Sequence, residues 1–96
     1  MTSTEAITSA IKKQKNNLQS KYKIKNIAIF GSYARGEQVE GSDVDLLVEF
    51  SEPIGLEFID LATDLEKIVQ NKVDLVSKAA IKPKYFKFVE KDLIYV

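Results

Sequence analysis

Apolar residues recur with two different periods along this 96-residue chain, and the switches between those periods predict its elements. Ile7, Ile11, Leu18 and Tyr22 fall near helical spacing with Lys, Gln and Asn between them, so residues 3–21 read as an amphipathic helix. Thr2-Ser3-Thr4-Glu5 at its start has the form of a capping box, a hydroxyl and a carboxylate three residues apart. Asn26 to Phe30 is short, apolar and β-branched, and Gly31-Ser32 ends it, as expected of a buried strand. Residues 33–42 read as a turn with one helical turn at its start. Val44 to Phe50 predicts a second strand with Asp45 near its beginning, broken by Ser51-Glu52-Pro53. Leu56, Ile59, Ala62, Leu65 and Val69 mark one face of a helix over roughly 55–70. Lys72 to Val76 predicts a third strand. Pro83 suits the first turn of a further helix with Phe86 and Val89 turned inward, and Leu93 to Val96 a closing strand.

This order, αβ(α)βαβαβ, describes an α/β (α+β) domain spanning residues 1–96. The long β–α–β crossover favours parallel neighbours, whereas the short 33–42 connection fits either direction. The expectation is a small mixed sheet of about four strands with helices packed on one face.

Composition narrows the chemistry. The chain has neither cysteine nor histidine. Disulfides, thiolate or imidazole zinc sites and Ser-His or Cys-His nucleophile pairs are therefore excluded. Catalysis has to use carboxylates, hydroxyls, Lys, Arg, Tyr, backbone amides or a metal held by oxygen, which favours magnesium, manganese or calcium. No apolar run reaches the length of about eighteen residues that a membrane helix needs. Met1 to Ser9 does not read as a signal peptide, so a cytoplasmic protein is expected.

The formal net charge is zero, but the charges are segregated. Ten acidic residues and no Lys or Arg lie between Glu37 and Glu66, with lysine-rich flanks on both sides. The middle of the chain can concentrate cations and the flanks can attract phosphate. The acidic segment is not suited to gripping nucleic acid, and direct nucleic-acid binding is not expected.

Candidate chemistry concentrates in Gly31-Ser32-Tyr33-Ala34-Arg35-Gly36 and Ser42-Asp43-Val44-Asp45-Leu46. A Gly-Ser pair leaving a strand lets backbone approach a ligand closely, and a helical turn behind it offers free N–H groups to a phosphate. Asp43 and Asp45, two apart in an extended segment, project to the same side with Cα atoms about 7 Å apart. Such carboxylates raise each other's pKa unless a cation lies between them. Asp74, between Val73 and Leu75, is a charge inside an apolar strand, costly unless paired or metal-bound. An edge strand with a solvated Asp74 is the alternative. Together these residues are equipment for two-metal phosphoryl chemistry, in which one ion activates the nucleophile and the other neutralises the leaving pyrophosphate.

Gly31-Ser32 followed by Asp43-Val44-Asp45 resembles the signature of the DNA-polymerase-beta-like nucleotidyltransferase superfamily. The fuller string, with Val73-Asp74-Leu75-Val76 and a C-terminal Ile94-Tyr95, is similar to its minimal nucleotidyltransferase (MNT) branch. The resemblance implies that Gly31 and Ser32 hold the β- and γ-phosphates of ATP. It implies that Asp43 and Asp45 bind two Mg2+ ions, and that Asp74 is the third carboxylate, helping to activate the attacking hydroxyl. Arg35 stands where the branch has an arginine, either a nucleotide phosphate contact or a structural ion pair. The resemblance further implies an antitoxin that transfers AMP from ATP to a tyrosine of a HEPN-type ribonuclease toxin. Two alternatives stay open: a non-catalytic antitoxin that masks its partner, and a nucleotidyltransferase acting on a small molecule.

Overall fold

The computed structural model describes residues 3–96. Among the described residues the helices and strands follow as α1 (Thr4–Tyr22), β1 (Ile24–Phe30), α2 (Gly31–Arg35), β2 (Val44–Phe50), α3 (Glu57–Val69), β3 (Val73–Ser77), α4 (Pro83–Glu90) and β4 (Ile94–Tyr95), with a 3-10 turn at Lys78–Ala80 between β3 and α4. The strands form one mixed sheet in the order β3-β2-β1-β4. β1 runs antiparallel to both β2 and β4, and β2 runs parallel to β3 across the α3 crossover. The expected fold class is the one observed.

Ser3 caps α1, its hydroxyl accepting a hydrogen bond from Ala6 N at 3.1 Å. The Thr2 arm of the anticipated capping box lies outside the described residues. α1 buries Ile7, Ile11, Leu18 and Tyr22 against one face of the sheet, and α3 adds Leu61, Leu65 and Val69. From the sheet, Ile24, Ile27, Ile29, Val44, Leu46 and Val48 complete this core. Tyr22 also donates its hydroxyl to Asp64 at 2.5 Å, tying α1 to α3 at the core's edge. Among the described residues no helix is long and apolar enough to cross a membrane.

Three expectations need correction. β1 begins at Ile24 rather than Asn26, because the register shifts between those residues. That bulge puts Ile24 on the same face as Ile27 and Ile29, and the polar Lys25 and Asn26 hide it from a simple period. The expected buried face of α3 holds at Leu65 and Val69, which are in the core, but not at Leu56 and Ile59, which are 81% and 63% exposed. At the N-terminal half Phe58 and Leu61 take the inward positions, with Ile68 also packed against the core and the Phe58 ring edge-on to Phe50 at 6.3 Å. Finally, α4 places no residue in the core. Phe86 and Val89 are half-buried, while Tyr85 and Phe88 are exposed.

The face of the sheet opposite the α1–α3 core buries Ala28 and Leu47 at its centre and carries polar side chains to either side of them. Asn26 pairs with Glu49 across β1 and β2, donating Nδ2 to Oε1 at 3.0 Å. Asp45 and Asp74 occupy this face toward the other end of β2 and β3.

Candidate active site

Gly31 leaves β1 with φ +72°, a left-handed conformation in which a side chain is strained. A Cβ built there would lie 2.0 Å from Asp45 Oδ2 and 3.0 Å from its Cγ. Only a glycine lets the β1–α2 turn sit this close to the Asp45 carboxylate. α2 follows at once, so the N–H groups of its first turn lack intrahelical partners. Ser32 stands in that turn, half-buried.

The parallel ladder between β2 and β3 sets Asp45 directly opposite Asp74. Directly opposed residues share a face, so the two carboxylates are neighbours. Asp43 lies one residue ahead of β2, in the loop, and is exposed. Asp45 feels the crowding. Its carboxyl is pushed above the usual aspartate range by burial first, then by the charges of Asp74 and Asp43, with Arg35 acting weakly the other way.

Of the two readings open for Asp74, the structure bears out the solvated residue on an edge strand. β3 is an edge strand and Asp74 is exposed on it, so its place beside Asp45 comes from register rather than from burial. Nor do the three carboxylates form a ready-made cage: among the described residues no three acidic side chains are gathered closely enough to hold a metal by themselves. Asp43 is in a loop and Asp74 at a rim, and like charges have no reason to close up without a cation. Magnesium commonly takes one or two carboxylates and completes its shell with substrate phosphates and water. The Asp45–Asp74 pair, beside a glycine turn open to phosphate, fits such an ion.

Arg35 is already engaged. Its Nε donates to Glu37 at 2.8 Å and its Nη1 to Asp92 at 2.7 Å. The structural ion pair is therefore present, joining α2 to the segment between α4 and β4. Tyr33, in the same short helix, is only 2% exposed, and its hydroxyl accepts a hydrogen bond from Asn71. Sequence reasoning assigned neither residue a role. An aromatic directly after Gly-Ser was the available signal for Tyr33, and nothing local marked Asn71. A groove of about 690 Å³ lined by Phe50, Ile54, Phe58 and Lys78 opens at the far end of β2 and β3. It lies five residues, about 17 Å, along the strand from Asp45 and is not part of this site.

The model of the nucleotidyltransferase domain family matches residues 11–96. A Methanocaldococcus jannaschii protein, assigned provisionally as a protein adenylyltransferase, is 52% identical over 98 residues, with all of both chains covered. The protein adenylyltransferase MntA of Thermococcus cleftensis is 41% identical over 97 residues, covering 100% of this chain and 98% of that one. Among solved structures, one assigned provisionally as a minimal nucleotidyltransferase superposes with a TM-score of 0.82 at 31% identity, covering 97% of this chain and 95% of the other. The fold also recurs, at 22% identity and a TM-score of 0.65, in a structure of the tri-AMPylated Shewanella oneidensis HEPN toxin in complex with MNT antitoxin; 94% of this chain and 67% of that chain are covered.

Proposed function

The chain belongs to the nucleotidyltransferase domain family and is an enzyme of that family acting on a nucleotide, and we propose that it moves AMP from ATP onto a tyrosine hydroxyl of a HEPN-type toxin, as that toxin's antitoxin. The adenylyltransferase name of its relative and the MNT–HEPN complex among its structural neighbours support this reading. The single observation that carries it is the approach of Gly31 to Asp45, with Asp74 opposite in register, which brings a glycine turn and two carboxylates together.

In this reaction Gly31, Ser32 and the free amides of α2 hold the β- and γ-phosphates. Asp45 and Asp74, with Asp43 in the loop just ahead of β2, would hold magnesium, as two ions. Magnesium, when bound, neutralises triphosphate charge and lowers the pKa of the attacking hydroxyl. The acceptor oxygen bonds to the α-phosphorus as the bond from that phosphorus to the bridging oxygen breaks. Pyrophosphate leaves with the electron pair, and Asp74 takes the hydroxyl proton. Arg35, held by Glu37 and Asp92, contributes its positive field at Asp45 rather than a direct grip on the nucleotide.

The test is the intact mass of a HEPN toxin encoded beside this chain, incubated with the protein, ATP and magnesium. A gain of one or more AMP units, lost when the toxin's acceptor tyrosine becomes phenylalanine, is the expected result. Tight binding and full neutralisation with no gain in mass would make the chain a masking module instead.

A further inference from the structure

The candidate site is assembled from three separate stretches of chain, the β1–α2 turn, the start of β2 and the start of β3, and a short run of hydrogen bonds links all three. Asn71, in the α3–β3 turn, donates Nδ2 to the Tyr33 hydroxyl at 2.9 Å, and its Oδ1 accepts from Lys72 N at 2.7 Å. Lys72 O in turn accepts from Val44 N at 2.9 Å. The amide orientation is fixed by chemistry: a backbone N–H can only donate, so Oδ1 must face Lys72 and Nδ2 is left for Tyr33.

Each link touches a segment that bears a site residue. Tyr33 adjoins Ser32, Val44 stands between Asp43 and Asp45, and Lys72 is two residues before Asp74. Both ends are anchored. The Tyr33 ring is buried, its carbonyl accepts from Thr4 Oγ1 at 2.6 Å, and Val44 is fully buried. On the β3 side, Val73 N donates to Glu66 Oε2 at 3.0 Å, securing the strand's first residue to α3.

We infer that Tyr33 and Asn71 are positioning residues, which set the phosphate-holding turn and the two aspartate-bearing strands at the separation that a metal–nucleotide complex requires. The inference rests on the nucleotidyl-transfer reading above. Neither side chain touches the nucleotide. They act through Ser32, Asp45 and Asp74, as outer partners orient the direct ligands of a metal.

The test uses Tyr33→Phe, which keeps the ring and removes the hydroxyl, together with Asn71→Ala and the double variant. Mn2+ binding is measured by electron paramagnetic resonance in the presence of a non-hydrolysable ATP analogue, with Tm recorded alongside. The expected result is Mn2+ binding weakened by about tenfold in each single variant, with the double variant no weaker than the worse single one. A merely structural role would lower Tm and leave the Mn2+ affinity of the folded protein unchanged. Single variants at wild-type affinity, or losses that multiply in the double variant, would overturn the inference. A wild-type protein that binds Mn2+ and the analogue but moves no AMP would instead remove the transfer reading and leave the positioning role standing. One that binds no Mn2+ at all would overturn both.

Discussion

Replacing Gly31 by alanine separates two costs that usually arrive together. The backbone at Gly31 is left-handed, and an L-residue there costs about 1–2 kcal/mol. For a chain of this size that lowers Tm by roughly 5–15 °C. The second cost is local. The new methyl would lie 2.0 Å from Asp45 Oδ2, 3.0 Å from Cγ and 3.2 Å from Cβ, so the whole carboxylate has to swing away. A displacement of about 1 Å at a group that holds a reacting complex costs about a hundredfold in rate. Gly36 supplies the control. It has φ +70°, and a Cβ there meets nothing within 4 Å. Gly36→Ala should therefore show a similar fall in Tm while keeping its rate within about threefold. The assay is AMP transfer to the toxin followed by mass spectrometry, with Tm by scanning fluorimetry. Equal loss of activity in the two variants would refute the argument that Gly31 is there for Asp45, as would a Gly31→Ala protein of normal rate.

Two further outcomes follow from the ionisable groups. Asp45→Asn should lower transfer by at least about a hundredfold. It should also raise Tm at neutral pH when divalent metal is chelated, because the folded-state pKa of Asp45 is raised. That penalty is absent below the unfolded aspartate pKa and fully present above the folded one, so the gain of the variant over wild type should vanish as pH falls through that window. Asp64 has the opposite sign, its carboxyl held below the usual range by the Tyr22 hydroxyl and then by Lys21. Its stabilisation is present above the unfolded pKa and is lost as pH falls through the folded one. Tyr22→Phe should thus cost about 1.5 kcal/mol at pH 7 and show a shallower acid decline, read from Tm between about pH 2 and 5.

What was legible in the sequence was local. β2 has the bounds the sequence predicts, because its apolar residues Val44, Leu46, Leu47, Val48 and Phe50 are followed at once by the Ser51-Glu52-Pro53 break. The single helical turn expected from residue 33 is present, but it starts two residues earlier, at Gly31. The misplaced elements each depended on something distant. The extra residues of β1 needed the bulge opposite β2. In α3, Leu65 and Val69 are buried as expected, but whether Leu56 and Ile59 or Phe58 and Leu61 complete the face depends on distant partners such as Phe50, which meets Phe58. Similarly, Asp74 could be suspected from its apolar neighbours, but its place opposite Asp45 is a matter of parallel register, which no single strand encodes. Arg35 finds one of its carboxylates 57 residues away, beyond the reach of any motif.

The placement of Asp74 on the outermost strand, open to solvent, bears on how an acceptor is chosen. In the proposed reaction a hydroxyl would meet this carboxylate at a rim, whereas discrimination by shape requires walls around the incoming group. Selection then falls to whatever tethers the acceptor-bearing molecule nearby, since tethering turns a rare encounter into one at a high effective concentration. On this view several hydroxyls on one flexible segment would be modified in the order in which they reach the rim, and a free hydroxyl of the same chemistry in solution would be passed over.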